Sequence, residues 1–276
     1  MQQKEAFMIK AFKKYLEEKD FTKNTISNYL FTLKQYKKLF GLKKITKKNL
    51  QDYKIWLIEN FKPKTVNLRI CGINSYLEFT KQDKLKLSSV KVQQKSFLEN
   101  VISEADYEYF KNSLFNDNNK FWYFVVRFLC ATGARISEFV QIKVEHIKKG
   151  YFDIYSKGGK IRRIFIPQKL QEEILLWFEE NNIETGFVFT DKYNNKLTPR
   201  SINYKLKVLA QKYGLNTAVV YPHSFRHRFA KSFLDRYNDI ALLADLMGHE
   251  SLETTRVYLR RTSSEQQFIV NKYIDW

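Results

Sequence analysis

The sequence predicts a mainly α-helical protein with one small antiparallel β-sheet: an all-helical first domain and a mixed α+β second domain. Three observations lead there. Apolar residues recur at three- and four-residue spacing through most of the 276 residues, with polar capping residues ahead of the runs. Period-two alternation is concentrated in one place, Tyr151 to Ser156 and Lys160 to Ile166, on either side of Lys157-Gly158-Gly159, which reads as a tight hairpin turn. Between two helical blocks, residues 81–97 keep no lasting helical period and are rich in lysine, as an interdomain linker is. The expected organisation is therefore a helical domain over 1–80, a linker over 81–97 and a second domain with a C-terminal tail over 98–276.

Residues 1–80 read as four helices. The first carries Phe7, Ala11, Phe12, Tyr15 and Leu16 on one side. The second starts after Thr22 or Asn24, turns Ile26, Tyr29, Leu30, Leu33 and Tyr36 inward, and stops at Gly41. Thr46 caps a third with Leu50, Tyr53, Trp56 and Leu57 in its apolar stripe. The fourth follows Pro63, with Val66, Ile70, Ile73, Tyr76 and Leu77 facing the core. Lys34, Lys37, Lys38, Lys64 and Arg69 fall on polar faces and are the candidates for nucleic-acid phosphate contacts, a charged helix face being otherwise simply solvated.

The second domain opens on Ser103-Glu104-Ala105-Asp106, a helix-capping pattern. A strongly apolar helix at 120–131 is its expected core. Thr132-Gly133 breaks that helix, and a new one from Ala134 puts Arg135 and Glu138 one turn apart near its start. In the second strand of the hairpin, Ile161, Arg163 and Phe165 share a face, and Pro167 ends it. An amphipathic helix with Leu170, Ile174, Leu175, Trp177 and Phe178 follows, then another near 199–212.

Charge narrows the function. Lys and Arg number 48 against 29 acidic residues, a formal +19, and residues 1–97 hold 22 basic and 8 acidic side chains. Such a field draws polyanions, of which nucleic acid is the commonest; lysine enrichment from an AT-rich genome is the blander reading. Cys71 and Cys130, the only cysteines, both fall in apolar helical contexts and imply no disulfide. No signal peptide or membrane-length apolar run is visible, so a soluble, cytoplasmic protein is expected.

The chemistry concentrates in Tyr221–Leu259, which holds three of the four histidines. Pro222 favours a helix start near His223 or Ser224, putting His223 and Arg226 on one face with His227 beside them. Gly248 reads as a helix C-terminal cap, leaving His249 in the turn beyond, and Ser251 or Thr254 starts a short last helix carrying Tyr258. Cationic groups near a phenol make a site for a phosphate and a nucleophile. Two arginines offer forked donors for phosphate, a lysine at a hairpin tip can protonate a leaving oxygen, and a tyrosine, with a pKa of about 10, needs a cationic pocket to attack.

At these residues the chain resembles the tyrosine site-specific recombinases, the family of phage-type integrases and Xer-like resolvases. A-T-G-A-R-I-S-E (131–138) is similar to the family's first arginine box and S-K-G-G-K-I-R-R (156–163) to its lysine hairpin. H-S-F-R-H (223–227) is similar to its H-x-x-R motif, and L-M-G-H-E-S-L-E-T-T-R-V-Y (246–258) to its closing box. The boxes cover residues 98–265 in the family's order; the basic first domain resembles the family's core-binding domain by character only. The resemblance implies a DNA strand-exchange enzyme in which Tyr258 attacks a phosphodiester to leave a 3′-phosphotyrosyl link and a free 5′-hydroxyl. Arg135, Arg226 and His249 would hold the non-bridging oxygens, Lys157 would protonate the departing 5′-oxygen and His223 would assist proton transfer. Glu138 would orient Arg135 or another basic group, and His227 would support the helix. Neither metal nor nucleotide cofactor is implied. The partners would be double-stranded DNA sites and further copies of the chain, a dimer per site and a tetramer in the synapse, with no membrane.

Other readings of the same residues stand beside this one. Arg135 and Glu138 could be a surface ion pair, Lys157 a soluble turn residue, and His223 with His227 a pair of zinc ligands, although no HExxH glutamate accompanies them. At the level of function, a type IB-like topoisomerase would use the same chemistry, and an inactive DNA-binding relative would keep only the fold. No additional arm-binding domain is expected at the amino terminus. After Tyr258 come 18 residues whose Phe268, Val270 and Ile274 fall on one side of an alternating or short helical tail, flanked by Ile269 and Tyr273 and ended by Trp276. That tail is expected to dock, either on its own domain or on a neighbouring subunit.

Overall fold

The computed structural model describes residues 2–42, 45–93, 100–155, 161–259 and 263–274. The chain divides into two compact units, Met1–Gln94 and Lys95–Trp276.

The first unit is four helices: α1 (Gln2–Glu18), α2 (Lys23–Phe40), α3 (Lys47–Asn60) and α4 (Pro63–Phe79). Thr22 and Thr46 cap α2 and α3, their hydroxyls accepting from the backbone N–H of Thr25 and Asn49, and Pro63 sits in the first turn of α4. Phe12, Leu16, Leu33, Tyr36, Tyr53, Leu57, Ile70, Ile73 and Leu77 make the core. Phe7, expected inward, is instead exposed, although its neighbours Met8 and Ile9 pack against the core. Helices α2 and α4 approach closely because Gly72 has no side chain; a Cβ there would lie 3.0 Å from the Thr32 hydroxyl. A 3₁₀ turn over Asp83–Leu85 follows α4. The chain beyond it is held to α4 by two side-chain amides: Asn74 exchanges two hydrogen bonds of 2.8 Å with the Leu87 backbone. Asn67 does the same with Val90 at 2.8 and 3.0 Å.

The second unit is built on α6 (Lys120–Thr132), whose Tyr123, Phe124, Val125, Val126, Phe128 and Leu129 are all buried. Around it pack α5 (Glu104–Asn116), α9 (Gln168–Glu180) and α11 (Pro222–Tyr237); α7 (Ile136–Phe139), α8 (Val144–Lys149) and α10 (Pro199–Lys212) complete this core. Strands β1 (Tyr151–Tyr155) and β2 (Ile161–Phe165) pair antiparallel, Tyr151 opposite Phe165 and Tyr155 opposite Ile161. The face of β2 that carries Ile161, Arg163 and Phe165 is the outer one, with Ile161 62% and Phe165 57% exposed, while Arg162, Ile164 and Ile166 point inward. Cys130 is half-buried on α6; Cys71, contrary to the apolar setting expected for it, is exposed on α4, and both are free thiols.

A smaller core closes the chain. Ala230 and Leu234 of α11 meet Leu243 and Met247 of α12 (Ile240–Met247) around Tyr258. Tyr258 lies on a 3₁₀ turn, Val257–Leu259, after α13 (Leu252–Arg256). The tail is a helix, α14 (Ser263–Tyr273), not an alternating strand. Helical geometry puts Val270, Tyr273 and Ile274 on one side and Phe268 elsewhere, correcting the expected grouping; all four side chains are exposed. Trp276 lies outside the described residues.

Candidate active site

Two left-handed turns frame the site. Gly133 (φ +57°) ends α6 and Gly248 (φ +60°) ends α12, and in each a Cβ would collide with a neighbouring side chain, Phe229 and Arg162 respectively. Arg226, from the first turns of α11, ties the two together. It is 1% exposed, Nη1 donating to the Gly133 carbonyl (2.6 Å) and Nη2 to the Met247 carbonyl (2.7 Å). Helix α11 begins at Pro222, a residue or two before the start expected at His223 or Ser224, and Arg226 and His223 rise from the same helical face.

His249 follows Gly248 in the turn. Its Nε2 stands 3.0 Å from Arg226 Nη2. A guanidinium only donates, so Nε2 accepts, and Nδ1 carries the proton it gives to the buried Thr255 hydroxyl at 2.8 Å. Burial first, then Arg226 and Arg135, push the His249 imidazole down to about 4, so it is neutral at physiological pH. Its ring lies parallel to that of Tyr258, centroids 6.1 Å apart. Tyr258 is 6% exposed; burial raises its phenol, against the lowering pull of Arg226 and Arg135. His227 meets the Tyr258 ring at 5.3 Å and the His223 ring at 4.4 Å. Burial and then His223, Arg226 and His249 push His227 down to about 4, and its Nδ1 has no hydrogen-bond partner among the described residues. His223 is lowered too, by burial and then Arg226 and Arg135. Among the described residues no group of three or more His, Cys, Asp or Glu could hold a metal ion, so the His223–His227 pair has no third ligand there.

Arg135 caps the start of α7 rather than lying inside a helix begun at Ala134. Its Nη1 donates to Glu138 Oε1 (2.9 Å) and its Nη2 to the Gly248 carbonyl (2.9 Å), while its backbone N–H donates to Glu138 Oε2 (2.7 Å). Arg162 completes the arrangement from β2, Nη1 donating to Glu138 Oε2 at 2.7 Å and Nε to the Leu246 carbonyl at 2.9 Å. Burial alone would raise the Glu138 carboxyl; Arg162, then the Arg135 backbone and guanidinium, outweigh it and hold it below the ordinary range. Glu138 is therefore no surface ion pair. A cleft of about 670 Å³ borders this group, lined among others by Arg135, Glu138, Arg162 and His249.

Residues 100–265 match the phage integrase family. The chain belongs to that family. It is 28% identical to the tyrosine recombinase XerA of Pyrococcus furiosus, over 96% of this chain and 93% of that protein. It is 29% identical to the TnP I resolvase of Bacillus thuringiensis, over 95% and 97%. Among solved structures, a lambda integrase dimer bound to a COC′ core site is similar in fold, with a TM-score of 0.72 at 15% identity over 98% of this chain and 78% of that one. XerH bound to its difH substrate gives 0.67 at 18% identity, over 91% and 80%. The mainly helical fold with a small antiparallel sheet is thus the integrase fold.

Within this family member, Arg135, His223, Arg226, His249 and Tyr258 gather in the second unit with Glu138 and His227. Lys157 lies outside the described residues, as does the whole expected hairpin turn. In the first unit Lys34, Lys38 and Lys64 are exposed and Lys37 is half-buried. Arg69 departs from the polar face expected for it. Its guanidinium lies 4.4 Å from the Phe31 ring centroid, and Nη1 is 3.4 Å from the Asn28 carbonyl and 3.3 Å from the Thr32 hydroxyl. Arg162 is the residue that sequence reasoning missed. The signal was its parity: on a strand whose next inward residues are Ile164 and Ile166, position 162 points inward as well.

Proposed function

We propose that the chain is a site-specific DNA recombinase that cuts and rejoins DNA through a 3′-phosphotyrosyl intermediate, in integration and excision, resolution or inversion. One observation carries this reading: a single buried phenol, Tyr258, packed between His249 and His227 and beside Arg226, inside a cluster of guanidiniums. Tyr258 Oη attacks the scissile phosphorus, and His223 assists removal of the phenolic proton. Arg135 and Arg226 donate to the non-bridging oxygens, where charge builds in the transition state. His249 joins them once the phosphate's negative charge favours a proton on Nε2. Lys157 gives its proton to the departing 5′-oxygen. The phosphodiester is exchanged for a phosphotyrosine, so a 5′-hydroxyl can reverse the step without metal or nucleotide.

The partners are double-stranded DNA sites, with exposed Lys34, Lys38 and Lys64 of a basic first domain available to phosphates, and further copies of the chain. A dimer would occupy each site and a tetramer the synapse. The working compartment is the cytoplasm; no helix among the described residues is long and apolar enough to cross a membrane.

The test is covalent capture. The protein, incubated with a nicked duplex made from DNA flanking its own gene, should give a protein–DNA adduct on a denaturing gel. Tyr258→Phe should abolish the adduct while leaving DNA binding nearly unchanged, since only the nucleophilic oxygen is removed. An adduct that persists in the variant means another residue attacks, and the reading fails.

A further inference from the structure

We infer that Arg162 is a positioning residue of this site: it clamps the Glu138 carboxylate to the α12 turn, so that Arg135 keeps its aim and the pocket keeps its positive charge. The inference rests on the recombinase reading. Its geometry is a closed circuit. Arg162 donates to Glu138 and to the Leu246 carbonyl, Glu138 accepts from Arg135, and Arg135 donates to the Gly248 carbonyl, two residues beyond Leu246. Each guanidinium is a planar fork, so two bonds in different directions fix its orientation as well as its place.

Charge gives the circuit its purpose. A carboxylate aims Arg135 but also cancels it, which is a poor trade in a pocket that must hold a phosphate. With Arg162 present, two guanidiniums share one carboxylate and a net positive charge remains. Without it, Glu138, only 8% exposed, would have Arg135 as its remaining ionic partner and would draw that guanidinium inward. Arg162 is itself 8% exposed, and its Nη2 has no hydrogen-bond partner among the described residues. A general surface ion pair would not be kept at such burial. The packing is close enough to exclude a side chain at position 248, where a Cβ would strike Arg162 Cδ. The same guanidinium thus braces the turn that presents His249.

The experiment compares two substrates in single-turnover formation of the covalent adduct. One is the ordinary nicked duplex; the other carries a methylphosphonate at the scissile position, where a methyl replaces a non-bridging oxygen and the negative charge the arginines must hold is smaller by one. Arg162→Gln should slow the reaction on the phosphate on the order of tenfold to a hundredfold, as removal of a supporting partner commonly does. The loss should largely disappear on the methylphosphonate. Arg162→Lys keeps the charge but lacks the planar fork whose separate nitrogens reach Glu138 and Leu246 in fixed directions; it should fold even if the glutamine variant does not, and lose activity in the same substrate-dependent way. Wild-type rates on the phosphate overturn the proposal. So does an equal loss on both substrates, or failure of both variants to fold, either of which makes Arg162 a residue of the fold alone. If the wild-type protein forms no adduct with either substrate, the recombinase reading itself falls, and this inference with it.

Discussion

His249 and His227 are held near 4 against an ordinary 6.5. In both, burial is the first cause; Arg226 and Arg135 follow for His249, and His223 and Arg226 for His227. A lowered folded-state value means that, as pH drops through 6.5, the unfolded chain takes up protons that the folded one refuses. Stability attributable to these groups is fully present above about pH 6.5 and is lost as pH falls towards about 4. The midpoint of urea unfolding should therefore fall across that window, and His227→Gln should make the fall shallower. An unchanged slope in the variant would mean that His227 is not held neutral by its surroundings. The same depressed values keep His249 and His227 neutral at physiological pH in the absence of DNA, and leave the arginines as the cations beside Tyr258. Tyr258, with its phenol raised by burial, is likewise stored in the neutral form.

At the scale of elements, the site depends on where helices stop. α6 and α12 both end on a glycine in the left-handed region, and the carbonyls exposed by those endings are what Arg226 and Arg135 grip. Gly133→Ala should cost roughly 1–3 kcal/mol, since the strained backbone angle and the collision with Phe229 act together. It should also slow cleavage, because the Gly133 carbonyl moves with Arg226. Gly214 makes a fair comparison: its φ is +69° but nothing lies within 4 Å of a Cβ built there, so Gly214→Ala should cost only the backbone strain. Melting temperatures of the two variants decide the matter; equal losses would remove the case for a steric role at position 133.

At the scale of the whole molecule, α14 leaves Val270, Tyr273 and Ile274 exposed along one side, and Phe268 exposed as well. Apolar surface in water costs about 25 cal/mol per Å², and a ring of subunits each lending its last helix to the next would cover it. Truncation after Glu265 should leave a protein that melts like the full chain and binds a half-site, but that no longer fills two half-sites cooperatively or recombines. Insolubility or a lowered melting temperature of the truncated monomer would instead assign α14 to its own domain.

Much of this was written locally. Helix periodicity, the threonine and serine caps, and Pro222 place α2, α3, α5 and α11 from the sequence, because capping and amphipathicity are satisfied within a few residues. The spacings His223–Arg226 and Gly248–His249 are local too, and they bring the imidazoles and Arg226 to one helix face and one turn. What only the tertiary structure decided are the bonds that join distant segments. Glu138 lies 24 residues before Arg162, and Gly248 is 113 residues beyond Arg135. The inward parity of position 162 is local, although the exposed Ile161 and Phe165 make the opposite face of the strand look equally apolar; which counter-charge the guanidinium meets there is not local, because that charge comes from so far away. Arg69 is the reverse case. By spacing it belongs to a polar face, yet the close approach of α2 at Gly72 leaves Phe31, Asn28 and Thr32 within its reach. Periodicity reports which side of an element meets the core; which charges meet each other there depends on how the elements pack.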